Sequence, residues 1–298
     1  MSTEALYEPP LMAHLLIEGL NRYNDEPCLF LGDKVASYKE VRESTSQMVQ
    51  ALKSKGLDVG SRVAVISANR PEVLSNIAAM QLTGCIGTPL HPLGSLDDHA
   101  YVLEAAEVET LVFDAELFYE VAAALKERVP TVKNFLGFGP NDVGDDYMAL
   151  ASQFDPQPLV APDISLNDIA SVNFTGGTTG KPKGVMSPNR VSAYMTQIQM
   201  AEWEFPEEVR MLMATPLSHA AAAFFIPVLQ KGGAFYVMQG FDLDAFFDMV
   251  RDHKITCTML VPVMLNFLLD HPRATDGSMD SMETIFYGAS PMSPARLK

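Results

Sequence analysis

An α/β fold with mostly parallel sheets is predicted by three features of this 298-residue sequence. Short β-branched runs alternate along the chain with stretches whose apolar residues recur at helical spacing. Those helical stretches are long enough to carry the chain back across a sheet, so successive strands run parallel through right-handed crossovers. Hydrophobic residues make up 48% and charged residues 19%, enough for a sizeable core and too apolar for a disordered or collagen-like chain.

The elements follow in order. Val41, Thr45, Met48 and Leu52 mark a helix over 38–55, closed by Gly56 as its C′ residue. Residues 62–67 read as a buried strand. Pro71 suits the first turn of the next helix, where its missing N–H costs nothing, and Val73, Ile77 and Met80 continue one face. A strand over 86–90 precedes Ser95 and Asp98, three apart, which predict a capping box for a helix through Ala106. A strand over 110–113, a helix over 115–128 and a strand over 132–138 complete a first lobe at 1–140. Pro140, Pro156, Pro158 and Pro162, with several acidic residues, make 141–163 a connection. A second lobe is predicted at 164–298. Its strands are expected at 169–174, 210–214, 234–238, 256–261 and 284–287. Its helices are expected at 191–202, 219–229, 242–252 and 263–269. Ser293 and Pro294 read as the N-cap and first turn of a further helix, so the chain is expected to be the front part of a longer polypeptide.

Charge narrows the function classes. Against 37 Asp and Glu stand 21 Lys and Arg, a net charge of −16, and the sequence pI near 4.7 argues against nucleic acid as the main partner. Residues 101–160 carry 11 acidic and 3 basic side chains, which reads as a solvated surface. Cys28, Cys85 and Cys257 are dispersed, without disulfide or zinc spacing, and the six histidines share no metal-ligand spacing. No metal site is assigned. No secretory leader or ~20-residue apolar span is visible, so a cytoplasmic location follows by default. The 17 methionines read mainly as adaptable core packing.

The chemistry concentrates in Thr175-Gly-Gly-Thr-Thr-Gly-Lys-Pro-Lys-Gly184, directly after a strand. Gly176, Gly177 and Gly180 let backbone approach a ligand closely, Thr175, Thr178 and Thr179 offer hydroxyls, and Lys181 and Lys183 bring positive charge. Together they are expected to cradle the β- and γ-phosphates of a nucleotide. The run is not a Walker A loop, since Thr175 stands where that pattern needs Gly and Lys181 precedes Pro182; no dinucleotide fingerprint occurs either. The competing reading is a Gly-rich hairpin or flexible loop, against which the density of Thr and Lys argues.

The same run resembles the phosphate-binding signature of the adenylate-forming (AMP-binding) enzymes, Thr-Ser-Gly-Thr-Thr-Gly-x-Pro-Lys-Gly. Four more segments are similar to family landmarks in the family's order. Asp33-Lys-Val-Ala-Ser-Tyr-Lys-Glu-Val41 resembles its early hairpin and helix, and Gly60-Ser-Arg-Val-Ala-Val-Ile-Ser-Ala-Asn69 its strand ending in Asn. Pro216-Leu-Ser-His219 with Gly232-Gly-Ala234 resembles the segment placing a His before the acyl pocket, and Phe286-Tyr-Gly-Ala-Ser-Pro-Met292 the stretch lining the adenine site. Two positions depart from the pattern: Gly176 replaces the usual Ser, and Asn189 stands where many members have His.

The resemblance implies the large N-terminal domain of that fold and, within the family, an acyl-CoA synthetase for fatty or other hydrophobic carboxylic acids. A carboxylate plus ATP would give acyl-AMP, and coenzyme A would then form the thioester, with Mg²⁺ on the nucleotide. The implied site residues are Thr175 through Lys181 with Lys183 for the phosphates, Gly288, Ala289 and Ser290 for adenine, and His219 as a wall between acyl and nucleotide pockets. Without the resemblance His219 reads equally as a satisfied structural histidine. The family's remaining catalytic groups are expected beyond Lys298. Two other functions stay open: an adenylating domain that loads a carrier protein, and a nucleotide-binding remnant without turnover. Neither the particular acid nor the oligomeric state is specified by these motifs.

Overall fold

A computed structural model describes residues 9–175 and 181–296. Helix α1 (Met12–Arg22) leads into a hairpin of β1 (Pro27–Leu31) and β2 (Lys34–Ser37). Helix α2 (Tyr38–Ser54) starts at once behind Ser37, because Ser37 and Glu40 satisfy each other's backbone N–H groups in a capping box. There follow β3 (Arg62–Ile66), α3 (Pro71–Thr83), β4 (Ile86–Pro89), α4 (Leu96–Ala105), β5 (Thr110–Asp114), α5 (Tyr119–Arg128) and β6 (Asn134–Phe138). Pro71 is indeed a first-turn residue and the Ser95–Asp98 box forms. The helix expected from 115 starts four residues later. Its first turn is pre-empted by the Asp114 carboxylate, which accepts from the N–H groups of Glu116 and Leu117 at 3.0 and 3.2 Å.

The stretch expected as a bare connection, 141–163, carries β7 (Asp145–Asp146) and α6 (Tyr147–Ala151). Tyr147 is wholly buried and stacks on Phe138. Downstream, Ser46 of α2 holds both the N–H and the carbonyl of Gln157, so the segment is stitched to the body. The chain continues through β8 (Ile169–Thr175), β9 (Lys183–Pro188), α7 (Asn189–Glu202), β10 (Arg210–Met213), a 3-10 turn (Ala220–Phe224), α8 (Phe225–Gln230), β11 (Ala234–Val237), α9 (Leu243–His253), β12 (Cys257–Leu260), α10 (Pro262–Leu269) and β13 (Thr284–Tyr287). The single helix expected over 219–229 is therefore a 3-10 turn followed by a short α-helix.

Two sheets result, ordered β13-β12-β10-β11-β1-β2 and β7-β6-β5-β3-β4-β8-β9. Every pairing is parallel except β1 with β2 and β8 with β9. The sheets do not follow a division at 1–140 and 164–298. The early hairpin β1–β2 joins the sheet built from the second half, and β8–β9 joins the sheet built from the first.

Alternation along the strands explains the layering. Val63 and Val65 of β3 and Met211 and Met213 of β10 face one shared core with α1, α2, α3 and α8 between the sheets. Their neighbours Ala64 and Ile66 face α4 and α5 on one outer side, and Leu212 faces α9 and α10 on the other. Because both faces of each sheet are covered, the strands read as continuous apolar runs.

Candidate functional site

Parallel strands bring their carboxyl ends to one edge, where open α/β sheets bind ligands. In one sheet β3 ends toward Asn69, β4 toward His91 and β8 at Thr175. In the other β10 ends toward His219 and β13 toward Gly288, Ala289 and Ser290. Asn69 joins the two edges. Its buried amide donates to the carbonyls of Met213 and Thr215 at 3.3 and 2.9 Å and accepts from the Leu217 N–H at 2.8 Å. The loop that carries His219 is thus pinned to the end of β3.

The phosphate-loop positions Gly176, Gly177, Thr178, Thr179 and Gly180 lie outside the described residues. Their flanks are described. Thr175 pairs across the β8–β9 ladder with Lys183, and both are exposed. Gly184 packs closely there: a Cβ would stand 3.0 Å from side-chain atoms of Phe174 and Val172. The Lys181 ammonium lies 5.1 Å from the centre of the Tyr101 ring, which meets Phe174 edge-on. Asn189, at the departure from the family pattern, is a structural residue: its amide donates to the carbonyls of Ser165 and Asp168.

His219 bonds through Nδ1 to the Ser218 hydroxyl at 2.8 Å, and the residue lines the cavity. Its ring meets His91 edge-on at 4.8 Å, a partner no sequence pattern singled out. Desolvation and His91 together hold the His219 imidazole below its ordinary value of 6.5. Burial does the same to His99 and outweighs the opposing pull of Asp98. Both rings are therefore neutral in the folded protein near neutrality. Unfolded, each takes a proton as the pH falls through about 6.5, so the unfolded state binds more protons and stability falls on acidification. Melting temperatures measured between pH 7.5 and 5 should drop with pH, and His99→Gln should flatten the slope; a flat wild-type profile contradicts this account.

At the β13 end, Ala289 adopts φ +71°, the left-handed region that penalises a Cβ. Exposed strain at a strand terminus is typical of ligand-contacting turns. Ala289→Gly is expected to stabilise the protein by about 0.5–1 kcal/mol in urea titrations, since relief of the left-handed cost exceeds the extra entropy of unfolded glycine.

Two contiguous cavities, of about 210 and 340 Å³, meet at His219 and share Ile77, Gln81, Ser171, Asn173 and Ala222. Val65, Val73, Met80 and Leu217 line the smaller, and Met12, Phe225 and Ile226 the larger. A broader groove of about 970 Å³ lies at the opposite strand ends around Arg210 and Ala234 and holds none of the sequence-predicted site residues. Burial pushes the thiols of Cys85 and Cys257 up to about 12, which leaves them inert at neutral pH.

Comparison with known proteins agrees with this geometry. The family model described as AMP-binding enzyme matches residues 17–298. A medium/long-chain-fatty-acid–CoA ligase, FadD8, from Mycobacterium tuberculosis is 45% identical over 99% of this chain and 53% of its own length. A feruloyl-CoA synthase from Amycolatopsis is 29% identical over 89% of this chain and 51% of its own. The chain spans about half the length of the curated relatives it matches. Among solved structures, the amide bond synthetase McbA from Marinactinospora thermotolerans superposes with TM-score 0.85 at 26% identity, covering 97% of this chain and 56% of that one. The anthranilate CoA ligase AuaEII in complex with anthranoyl-AMP gives 0.89 at 17% identity, over 99% and 58%, a likeness of fold alone.

Proposed function

The chain belongs to the AMP-binding enzyme family, and from that premise we propose that the whole protein is an ATP-dependent acyl-CoA ligase for a carboxylic acid with a substantial apolar body. One observation carries the reading. A largely apolar cavity is lined by His219, which follows β10 in one sheet as Ala289 follows β13, while Thr175 and Lys183 lie at an end of the β8–β9 hairpin in the other. The similarity to a fatty-acid–CoA ligase supports coenzyme A as the acceptor.

The acid would lie with its tail in the cavity and its carboxylate at the rim beside the neutral imidazole of His219. There a carboxylate oxygen attacks the α-phosphorus of ATP, the bond to the β-phosphate breaks, and pyrophosphate leaves. The Thr175–Lys183 segment acts on that leaving group. Its backbone N–H groups and hydroxyls orient the β- and γ-phosphates, and the ammonium groups of Lys181 and Lys183 offset the charge that develops. Gly288, Ala289 and Ser290 would border the adenine. The thiolate of coenzyme A then attacks the acyl carbon and AMP departs. Among the described residues no three His, Cys, Asp or Glu side chains stand together as a metal site. Mg²⁺ would be carried by the ATP phosphates, and no residue here is assigned to it. No helix among the described residues is long and apolar enough to cross a membrane.

The test is acid-dependent exchange of labelled pyrophosphate into ATP by the whole protein, followed by product analysis with coenzyme A and with a carrier protein. Exchange with thioester formation on coenzyme A is expected. Exchange with acyl transfer only to the carrier would replace the acceptor, and no exchange with any acid would overturn the reading.

A further inference from the structure

We propose that the paired cavities beneath His219 select acids branched close to the carboxyl group, and that Gly87 makes the room for the shorter arm. The inference rests on the acyl-ligase reading and deepens it by naming a substrate class.

Two observations meet here, and the first is the way the space divides. Both cavities are lined by His219 and by Ser171 and Asn173 of β8. From there they part to either side of β8. The smaller runs over Val65 of β3 and Gly87 of β4, against Val73 and Met80 of α3. The larger runs past Ser187 of β9 toward Met195 of α7 and Ile226 of α8. An unbranched chain whose carboxylate sits at the shared rim enters only one of them, and the lining of the other forfeits its contacts. A chain that forks near the carboxylate fills both. An apolar space of about 150 Å³ holds a benzene ring, so the 210 Å³ of the smaller cavity is ample for a side arm of several carbons.

The second observation is Gly87 itself. Glycine inside a strand loses more entropy on folding and packs no side chain, so it marks a place where a ligand or another backbone comes close. No backbone angle requires it: Gly84 has φ +79°, whereas Gly87 lies in β4 with no left-handed φ. No packed neighbour requires it either. At the other strand glycines among the described residues, a Cβ on Gly137 would collide with Asn141, and one on Gly184 would press on Phe174 and Val172. At Gly87 a Cβ would meet only the terminal methyl of Met80 at 3.2 Å and the Ala170 carbonyl oxygen at 3.9 Å. Gly87 is only partly buried, and it stands between Val63, which faces the shared core, and Ser171, which lines both cavities. A side chain at this position would therefore project into the smaller cavity. The missing side chain is the room that a substrate arm takes.

The experiment uses the whole protein and pyrophosphate exchange with matched acids of equal carbon number, one straight and the others bearing an alkyl branch moved outward from the carbon next to the carboxyl group. One branch position near the carboxyl group should be favoured at least about ten-fold in kcat/KM over the straight acid. In Gly87→Val that ratio should fall to about one or below. The melting temperature should equal or exceed that of wild type, because a β-branched residue suits a strand better than glycine does. Should that variant fail to fold, Gly87→Ala, for which only the flexible end of Met80 must give way, should move the ratio in the same direction by a smaller step. A straight acid that matches or beats every branched one overturns the inference while leaving the ligase reading standing. So does a branch preference that neither variant moves. No exchange with any acid overturns the ligase reading itself and this inference with it.

Discussion

Replacing Lys183 with Ala should lower ATP–pyrophosphate exchange by the whole protein about 10²–10³-fold, the usual consequence of removing one preorganised group from a developing charge. Stability should hardly change. Lys183 is exposed, and its neighbour across the ladder is the equally exposed Thr175. A surface substitution of this kind is worth within about 0.5 kcal/mol, so the melting temperature should stay within about 2 °C of wild type. Thr178→Ala should act in the same direction through the loss of a hydroxyl donor. Unchanged exchange in both variants would remove the segment from the nucleotide site. A large fall in melting temperature would make the effect one of folding.

Asn69→Ala should cost about 2–3 kcal/mol in urea unfolding, because two backbone groups lose their only partner at once in a buried place. The Thr215 carbonyl would lose its donor and the Leu217 N–H its acceptor, while the Met213 carbonyl keeps the Met238 N–H at 3.3 Å. The same change releases the loop bearing His219 from the end of β3, so KM for the acid should rise beyond what the stability loss accounts for. A loss below about 0.5 kcal/mol would mean that the loop is held by packing alone.

Local signals in the sequence were enough for most strands and helices. Strand β13 begins and ends where the pattern places it, and the Ser95–Asp98 box and Pro71 mark true helix starts. What escaped is non-local. Asn69 bonds to a carbonyl 146 residues away, and His91 meets His219 only because two strand ends converge. Neither contact leaves a periodic trace in the chain. Strand β9 hides for a different reason. The preceding Pro182, the terminal Pro188 and Gly184 within it are turn residues by composition, tolerated because β9 is an edge strand. The exchange of hairpins between the sheets was equally hidden, since strand pairing across the chain depends on the assembled layers. The Gly/Thr run and the segment ending at His219 could be put forward as site candidates from the sequence because both are compact motifs.

That exchange of hairpins sets an order of events during synthesis. Hairpin β1–β2 emerges early, yet its neighbour β11 follows much later, and the hydroxyl of Tyr38 waits for a carbonyl 195 residues further on. At ordinary translation speeds of about 5–20 residues per second, that interval lasts roughly 10–40 s. Throughout it, one edge of β1 presents unpaired backbone groups and an apolar face beside a ribosome crowded with other nascent chains. Closing so large a loop is also the slow, entropically costly part of folding. The nascent chain is thus most vulnerable to aggregation before residue 234 is made, and a chaperone that shields residues 27–37 over that window would act where the topology demands it.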